Sequence, residues 1–294
     1  MTMTISPILS DFAGRVSGLD LTRSLTSDEV RAIEAGMDRF AVLVFHGQNI
    51  TDDQQIEFSS NFGPLEQTNV ENVIVQGERC LSSSIEDVSN LDENNKPLAR
   101  NDLRRIFILG NQLWHSDSSF RTVPPKYSIL SGRVTVAQGG YTEFADMRAA
   151  YDELDVQTKT LVEHLLCEHS WIYSREALGL TEVSKAERTA FNPVQQPLVR
   201  AHPVTGRKSL YLSSHIGAIA GWPMHESRLF ISKLTERAVC ASSIYRHVWR
   251  QYDLLMWDNR TTMHRVVPFD DTKVRDMRRT TVAGDPDQHR TVPL

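Results

Sequence analysis

Cysteine is scarce in this 294-residue chain: only Cys80, Cys167 and Cys240 are present. An odd number at wide spacing excludes a disulfide framework and a zinc-knuckle pattern. No apolar window is long enough to span a bilayer, and Met1 to Pro7 lack the basic stretch and apolar run of a signal peptide. Basic residues are not in excess either. The 32 Lys and Arg stand against 37 Asp and Glu, for a formal net charge of −5, which argues against a nucleic-acid surface. No Pro/Gly/Ser-rich linker, internal repeat or low-complexity tract divides the chain. These absences predict a soluble, cytoplasmic protein with no nucleic-acid or membrane partner, folded as one domain over 1–294.

What is present reads as strands with a few helices around them. Thr26-Ser27-Asp28-Glu29 is a capping box, and Val30, Ile33, Met37 and Phe40 follow at helical spacing. Ala41-Val42-Leu43-Val44-Phe45 suits a buried strand. A second capping box, Thr51 to Gln54, opens a helix that stops near Phe62-Gly63-Pro64. Over 66–112 the pattern weakens into a long irregular excursion, readable as a lid over a site or as a surface loop. Strand-like runs then recur at Tyr127–Ser131, Gly206–Leu212, Asp253–Trp257 and Arg279–Ala283, with helices expected near Met147–Leu166 and Glu226–Cys240. Many short strands with peripheral helices predict a mainly β fold, a sandwich or jelly roll.

The chemistry concentrates at Trp114-His115-Ser116-Asp117. On a strand, His115 and Asp117 point to one face and converge on one ion. A third imidazole opposite them completes a facial triad that leaves positions open, the arrangement suited to Fe(II) oxygen chemistry, whereas structural zinc prefers closed thiolate-rich sites. By itself His-x-Asp is weak, and a surface hydrogen-bonding couple is its ordinary fate. His264 is the candidate third ligand, because it follows an apolar strand and an Asp258-Asn259 turn. It also precedes Arg275, Arg278 and Arg279. On a regular strand Arg275 and Arg279 share a face and form a carboxylate clamp beside the metal; the ordinary alternative is a basic patch paired with surface acids.

Three strings in order resemble the taurine/2,4-dichlorophenoxyacetate dioxygenase family. They are Trp114-His115-Ser116-Asp117-Ser118-Ser119-Phe120, Gly139 through Thr142 to Tyr151, and Trp257-Asp258-Asn259-Arg260 through His264 to Arg275 and Arg279. The likeness runs from about Gly14 to Ala283, and its 2,4-dichlorophenoxyacetate branch fits best, through Asn61-Phe62-Gly63-Pro64 and Pro197-Leu198-Val199-Arg200. It implies a double-stranded β-helix (jelly roll), iron on His115, Asp117 and His264, and Thr142 and Arg275 on the distal carboxylate of 2-oxoglutarate. It further implies Arg279 on the anionic group of the prime substrate, with Ser118, Lys96, His202 and His215 as further substrate contacts; core roles for the two histidines are equally open.

Family members consume Fe(II), 2-oxoglutarate and O2, and release succinate and CO2 while a C–H bond is hydroxylated. Hydroxylation beside the ether oxygen of an aryloxyacetate-like acid gives a hemiacetal that collapses to a phenol and glyoxylate. Family lysines expected in the lid have no counterpart in Gln67 to Asn72, which leaves the preferred acid open. A taurine-like sulfonate or another carboxylate is the enzymatic alternative, and a metal-binding jelly-roll module without turnover is the non-enzymatic one. The intact set His115, Asp117, His264, Thr142 and Arg275 counts against the module. A homo-oligomer is expected.

Overall fold

A computed structural model describes residues 2–67, 81–102, 104–179, 188–189, 191–240 and 244–289. Cys80 and the stretch 68–80 of the expected lid lie outside the described residues. The chain is mainly β, with helices on the outside, in agreement with the pattern of short strands.

The elements before the site are β1 (Thr4–Leu9), β2 (Phe12–Ser17), α1 (Ser27–Phe40), β3 (Val42–Phe45), α2 (Asp52–Ser60), β4 (Glu86–Asp87) and α3 (Arg104–Gly110). There follow β5 (Tyr127–Val134), β6 (Thr142–Asp146), α4 (Met147–Asp152), α5 (Val156–Val162), β7 (Leu166–His169), α6 (Trp171–Glu176), β8 (Val194–Pro197), β9 (Val199–Ala201), β10 (Lys208–Leu210) and β11 (Ile216–Ile219). The chain closes with α7 (Met224–Ala238), β12 (Ile244–His247), β13 (Leu254–Asp258), β14 (Thr262–Val266) and β15 (Asp276–Val282).

Both capping boxes form. Thr26 accepts from the Glu29 amide while Glu29 reaches back to the Thr26 amide, and Thr51 and Gln54 do the same for α2, so two orphan donors at each helix start are satisfied. The apolar stripe of α1, with Ile33, Met37 and Phe40, is buried. Gly36 lets α1 pack closely on β1: a Cβ there would stand 2.6 Å from Ile5 Cδ1, so Ile5 would have to shift. The helix expected over Met147–Leu166 is instead two short helices and a strand. Asp155 accepts from the Thr158 amide at 2.8 Å, a new N-cap that restarts the chain as α5. The run Gly206–Leu212 keeps only β10 as strand, because Gly206 (φ +69°) belongs to a turn.

The large sheet has the order β1-β2-β3-β13-β5-β15-β4, and a smaller sheet has the order β12-β6-β14. β13 is central, and Leu254, Leu255, Met256 and Trp257 are all at most 1% exposed, as expected of a strand covered on both faces. The two sheets meet through Phe144 of β6 and Trp257 of β13, whose rings are 5.5 Å apart. Helices α1 and α2 cover the outer face of the large sheet, and α4 and α7 cover that of the small one. Side-chain alternation does the sorting. On β14, Met263 joins the outer core, whereas His264 faces inward, its ring 5.9 Å from that of Phe144.

The α2 helix also fixes the strand that carries the arginines. Gln55 of α2 is fully buried and donates to the carbonyls of Ile129 (3.2 Å) and Arg278 (3.1 Å). No helix among the described residues is long and apolar enough to cross a membrane.

Candidate active site

His115 and His264 exchange backbone hydrogen bonds, 3.0 Å from the His115 amide and 2.8 Å from the His264 amide. The two side chains are thereby set beside each other, ring centroids 4.2 Å apart. The strand expected around His115 is only this single bridge. Asp117 then comes round through a turn, with Ser118 in the left-handed region at φ +45°. Convergence is therefore achieved by a bridge and a tight turn, not by strand alternation. Nε2 of His115 lies 3.6 Å from Asp117 Oδ1, and Nε2 of His264 lies 3.7 Å from it.

These three residues are buried, and their candidate donor atoms lie within 4.8 Å of one another, forming among the described residues the single metal-competent group. The donor set fits a divalent first-row metal on three counts. His115 Nδ1 is engaged by the Leu113 carbonyl at 2.7 Å, which fixes Nδ1 as the protonated nitrogen and leaves the Nε2 lone pair aimed inward. Burial, and then His115, push the His264 imidazole down to about 3, so it is neutral and able to ligate. Burial pushes Asp117 upward, but the Arg279 guanidinium beside it outweighs burial and holds the carboxyl well below its usual range. Two imidazoles and one carboxylate on one side of an ion leave further positions for other ligands, the facial pattern of Fe(II) sites.

A relay of donors orients Asp117. Trp257 Nε1 donates to Asn259 Oδ1 at 3.0 Å, and Asn259 Nδ2 donates to Ser128 Oγ at 2.9 Å. Ser128 in turn donates to Asp117 Oδ2 at 2.7 Å. Every proton points toward the carboxylate, so the relay supports its ionised form. The roles of Ser128 and Asn259 depend on pairing of distant strands, so no local motif assigns them.

The cleft beside the triad is lined by His115, His264, Thr142, Trp257, Arg275 and Arg279, with Val88, Ile108 and Asn111 from the excursion at its rim. Arg275 is 6% exposed, and burial pushes its guanidinium down to about 10. It touches the Gly140 carbonyl at 3.4 Å and lies over the Phe269 ring, yet it pairs with no acid among the described residues. Thr142 Oγ1 accepts from Trp249 Nε1 at 2.9 Å, which leaves its own proton free to donate. Trp249, like Ser128, carries no local sequence signal for this role.

The remaining expectations divide. Arg279 reaches the cleft, and its Nη1 donates to Asp117 Oδ1 at 2.6 Å. Ser118 adjoins Asp117 in the turn. His215 is buried 6.2 Å from the His115 ring, its Nδ1 3.0 Å from Ser174 Oγ, so it stands behind the ligand rather than in the cleft lining. Lys96 is exposed, on a turn where its amide donates to Asp92 Oδ1 at 2.9 Å, and it does not line the cleft. His202 is also elsewhere: its Nε2 lies 3.2 Å from Asp258 Oδ2 and 2.9 Å from Arg260 Nη2. That buried network ties β13 to the turn after it, in keeping with the core role left open for His202. Within the excursion, residues 86–90 are fastened to the last strand: β4 pairs with β15, and the amides of Val88 and Asn90 donate to the carbonyls of Met277 and Arg275.

The profile of the family described as "Taurine catabolism dioxygenase TauD, TfdA family" matches residues 4–281. An alpha-ketoglutarate-dependent 2,4-dichlorophenoxyacetate dioxygenase of Cupriavidus pinatubonensis is 42% identical over 285 residues, covering 97% of this chain and 99% of the relative. An (S)-phenoxypropionate/alpha-ketoglutarate-dioxygenase of Sphingobium herbicidovorans is 36% identical over 290 residues, covering 96% and 95%. The crystal structure of AAD-2 in complex with Mn(II) and N-oxalylglycine superposes with a TM-score of 0.93 at 52% identity, covering 97% of this chain and 99% of that one.

Proposed function

The chain belongs to the taurine catabolism dioxygenase TauD, TfdA family, and from that premise we propose that its cleft hydroxylates the carbon next to the ether oxygen of aryloxyacetate-like acids. It is a 2-oxoglutarate-dependent dioxygenase. Relatives named for 2,4-dichlorophenoxyacetate and for (S)-phenoxypropionate support the aryloxy acid as substrate class. We further read the two sheets as a double-stranded β-helix in one domain over 1–294, with 66–112 as the cover of the cleft.

The single observation that carries the reading is Arg275: a buried guanidinium with no acid among the described residues, in the same cleft as a metal-competent triad. A buried cation without a partner is costly, and the distal carboxylate of 2-oxoglutarate, received by Arg275 and the free proton of Thr142, removes that cost. His115, Asp117 and His264 would hold Fe(II). Bound iron supplies the oxidative decarboxylation of 2-oxoglutarate by O2, with succinate, CO2 and a hydroxylated C–H bond as the outcome. The chain's own contribution is placement. Arg279 presents a charge for the substrate carboxylate at the edge of the site. Trp257 and Phe144 wall off water around His264, which strengthens every charge interaction inside. For 2,4-dichlorophenoxyacetate the products would be 2,4-dichlorophenol and glyoxylate, by collapse of the hemiacetal.

The test is a panel of aryloxy acids and sulfonates with Fe(II), 2-oxoglutarate and O2. Release of succinate with a phenol and glyoxylate in equal amounts is expected from the aryloxyacetates. Sulfite and an aldehyde from a sulfonate, with no phenol from any aryloxy acid, would assign the site to sulfonates instead. No substrate-stimulated 2-oxoglutarate turnover across the panel would overturn the activity itself.

A further inference from the structure

Arg279 already holds a carboxylate on each of two sides. Its Nη1 donates to Asp117, while Nε (3.1 Å) and Nη2 (2.5 Å) both donate to Oε2 of Glu86. The Nε–Nη2 edge of a guanidinium is one of those a carboxylate takes in the bidentate manner, and here a residue of the protein occupies it. The two partners differ in freedom: the Arg279 side chain is 14% exposed, that of Glu86 46%.

The sequence arranges this pairing directly. β4 is the two-residue edge strand Glu86–Asp87, and its register sets Glu86 opposite Arg279 and Asp87 opposite Arg278. Cross-strand opposite charges hold such a short strand in place, and a short edge strand is cheap to shift. A second acid stands nearby: Glu66, with its amide on the Thr281 carbonyl at 2.8 Å and its side chain 3.2 Å from Arg121. An anion arriving at Arg279 therefore meets a carboxylate already in its seat.

We propose that Glu86 is a specificity-determining residue of this site, an intramolecular carboxylate that occupies the substrate-binding edge of Arg279 and is displaced when the anionic substrate binds. Displacement is possible because Glu86 is half exposed and can exchange Arg279 for water, whereas Asp117 is buried and held by Ser128. Glu86 thus discriminates by competition. Every anion meets the same cost of opening the Glu86–Arg279 pair, so only one whose own contacts with Arg279 exceed those of Glu86 is seated. The inference rests on the reading that Arg279 receives the substrate carboxylate.

Glu86→Gln keeps the shape of the side chain and removes its charge. Binding of 2,4-dichlorophenoxyacetate is measured by calorimetry on anaerobic protein carrying Fe(II) and 2-oxoglutarate, beside the apparent KM in air. Since a partly exposed ion pair is worth up to about a fivefold change in equilibrium, Glu86→Gln is expected to tighten binding and lower KM by about that factor. The change should fall on KM rather than kcat. Arg279→Ala is expected to weaken binding at least about tenfold, and Glu86→Gln to have no further effect in that background. Arg279→Lys, which keeps the charge and loses the fork, replaces Arg279→Ala in the same comparison where the alanine variant yields no folded protein. Weaker or unchanged binding in Glu86→Gln, with weak binding in the Arg279 variants, overturns the role of Glu86 and leaves that of Arg279 standing. Full affinity in the Arg279 variants overturns the Arg279 reading itself.

Discussion

Ser128 is fully buried on β5, eleven positions beyond the carboxylate it serves. Its hydroxyl has one proton, and that proton is committed to Asp117 because Asn259 Nδ2 donates to the same oxygen. Ser128→Ala would therefore remove a donor from Asp117 and also strand the Asn259 amide in a dry interior. Losing an outer hydrogen bond of this kind typically weakens metal affinity by about 10- to 100-fold, and an unsatisfied buried amide costs about 1–3 kcal/mol. The expected outcome is weaker Mn(II) or Fe(II) binding by at least about tenfold, together with a lower denaturation midpoint. A metal titration of Ser128→Ala that matches the unmodified protein would mean that Asp117 needs no second donor on Oδ2. Arg279, on Oδ1, would then orient it alone.

At the scale of elements, the arginine-bearing strand is aimed from outside the cleft. Asn90, which follows β4, accepts from the Arg275 amide at 2.8 Å and donates to the carbonyls of Asp271 (2.9 Å) and Lys273 (2.8 Å). One side chain thus fastens both the turn before β15 and the start of the strand. Asn90→Ala is expected to raise the KM for 2-oxoglutarate roughly tenfold, with a smaller effect on kcat, since loss of several buried hydrogen bonds lets Arg275 wander. Succinate release measured against 2-oxoglutarate concentration checks it, and an unchanged KM would mean that β5 and α2 suffice to aim Arg275. Asn90 also marks what a sequence can and cannot tell. The helices α1 and α2 are legible because a capping box lies within four residues, and β13 because its continuous apolar run is local. β4 is not, since a two-residue strand exists only by pairing with residues some 190 positions on, as with Glu86 and Arg279. In the site, His115, Asp117, His264, Thr142, Arg275 and Arg279 stand in recognisable strings. Their supports Ser128, Trp249, Asn90 and Glu86 carry no pattern of their own, and Asn259 stands in a family string that does not reveal its bond to Ser128.

Over the whole molecule, the polar interior sets how the fold answers to acid. His169 on β7 is completely buried, its Nδ1 3.0 Å from Ser119 Oγ and its ring stacked on Tyr211. Burial first, and Arg200 second, push its imidazole down to about 3, against about 6.5 in the unfolded chain. The unfolded state therefore takes up a proton below about pH 6.5 that the folded state refuses until about pH 3. The contribution of His169 is fully present above pH 6.5 and is lost steadily as the pH falls, by about 1.4 kcal/mol per unit. His215 and His264, also buried and depressed, steepen the same decline, and carboxylates held low, such as Asp258, extend it to lower pH. His169→Gln keeps a polar group beside Ser119 but cannot titrate. Unfolding free energies of the metal-free protein and of His169→Gln, measured by denaturant between pH 6.5 and 5.0, should therefore converge as the solution is acidified. The gap between them should shrink by about 2 kcal/mol over that interval. Parallel curves would mean that the folded protein accepts the proton at His169 as readily as the unfolded chain does, which requires water to reach the interface between β7 and the turn that follows the metal ligands.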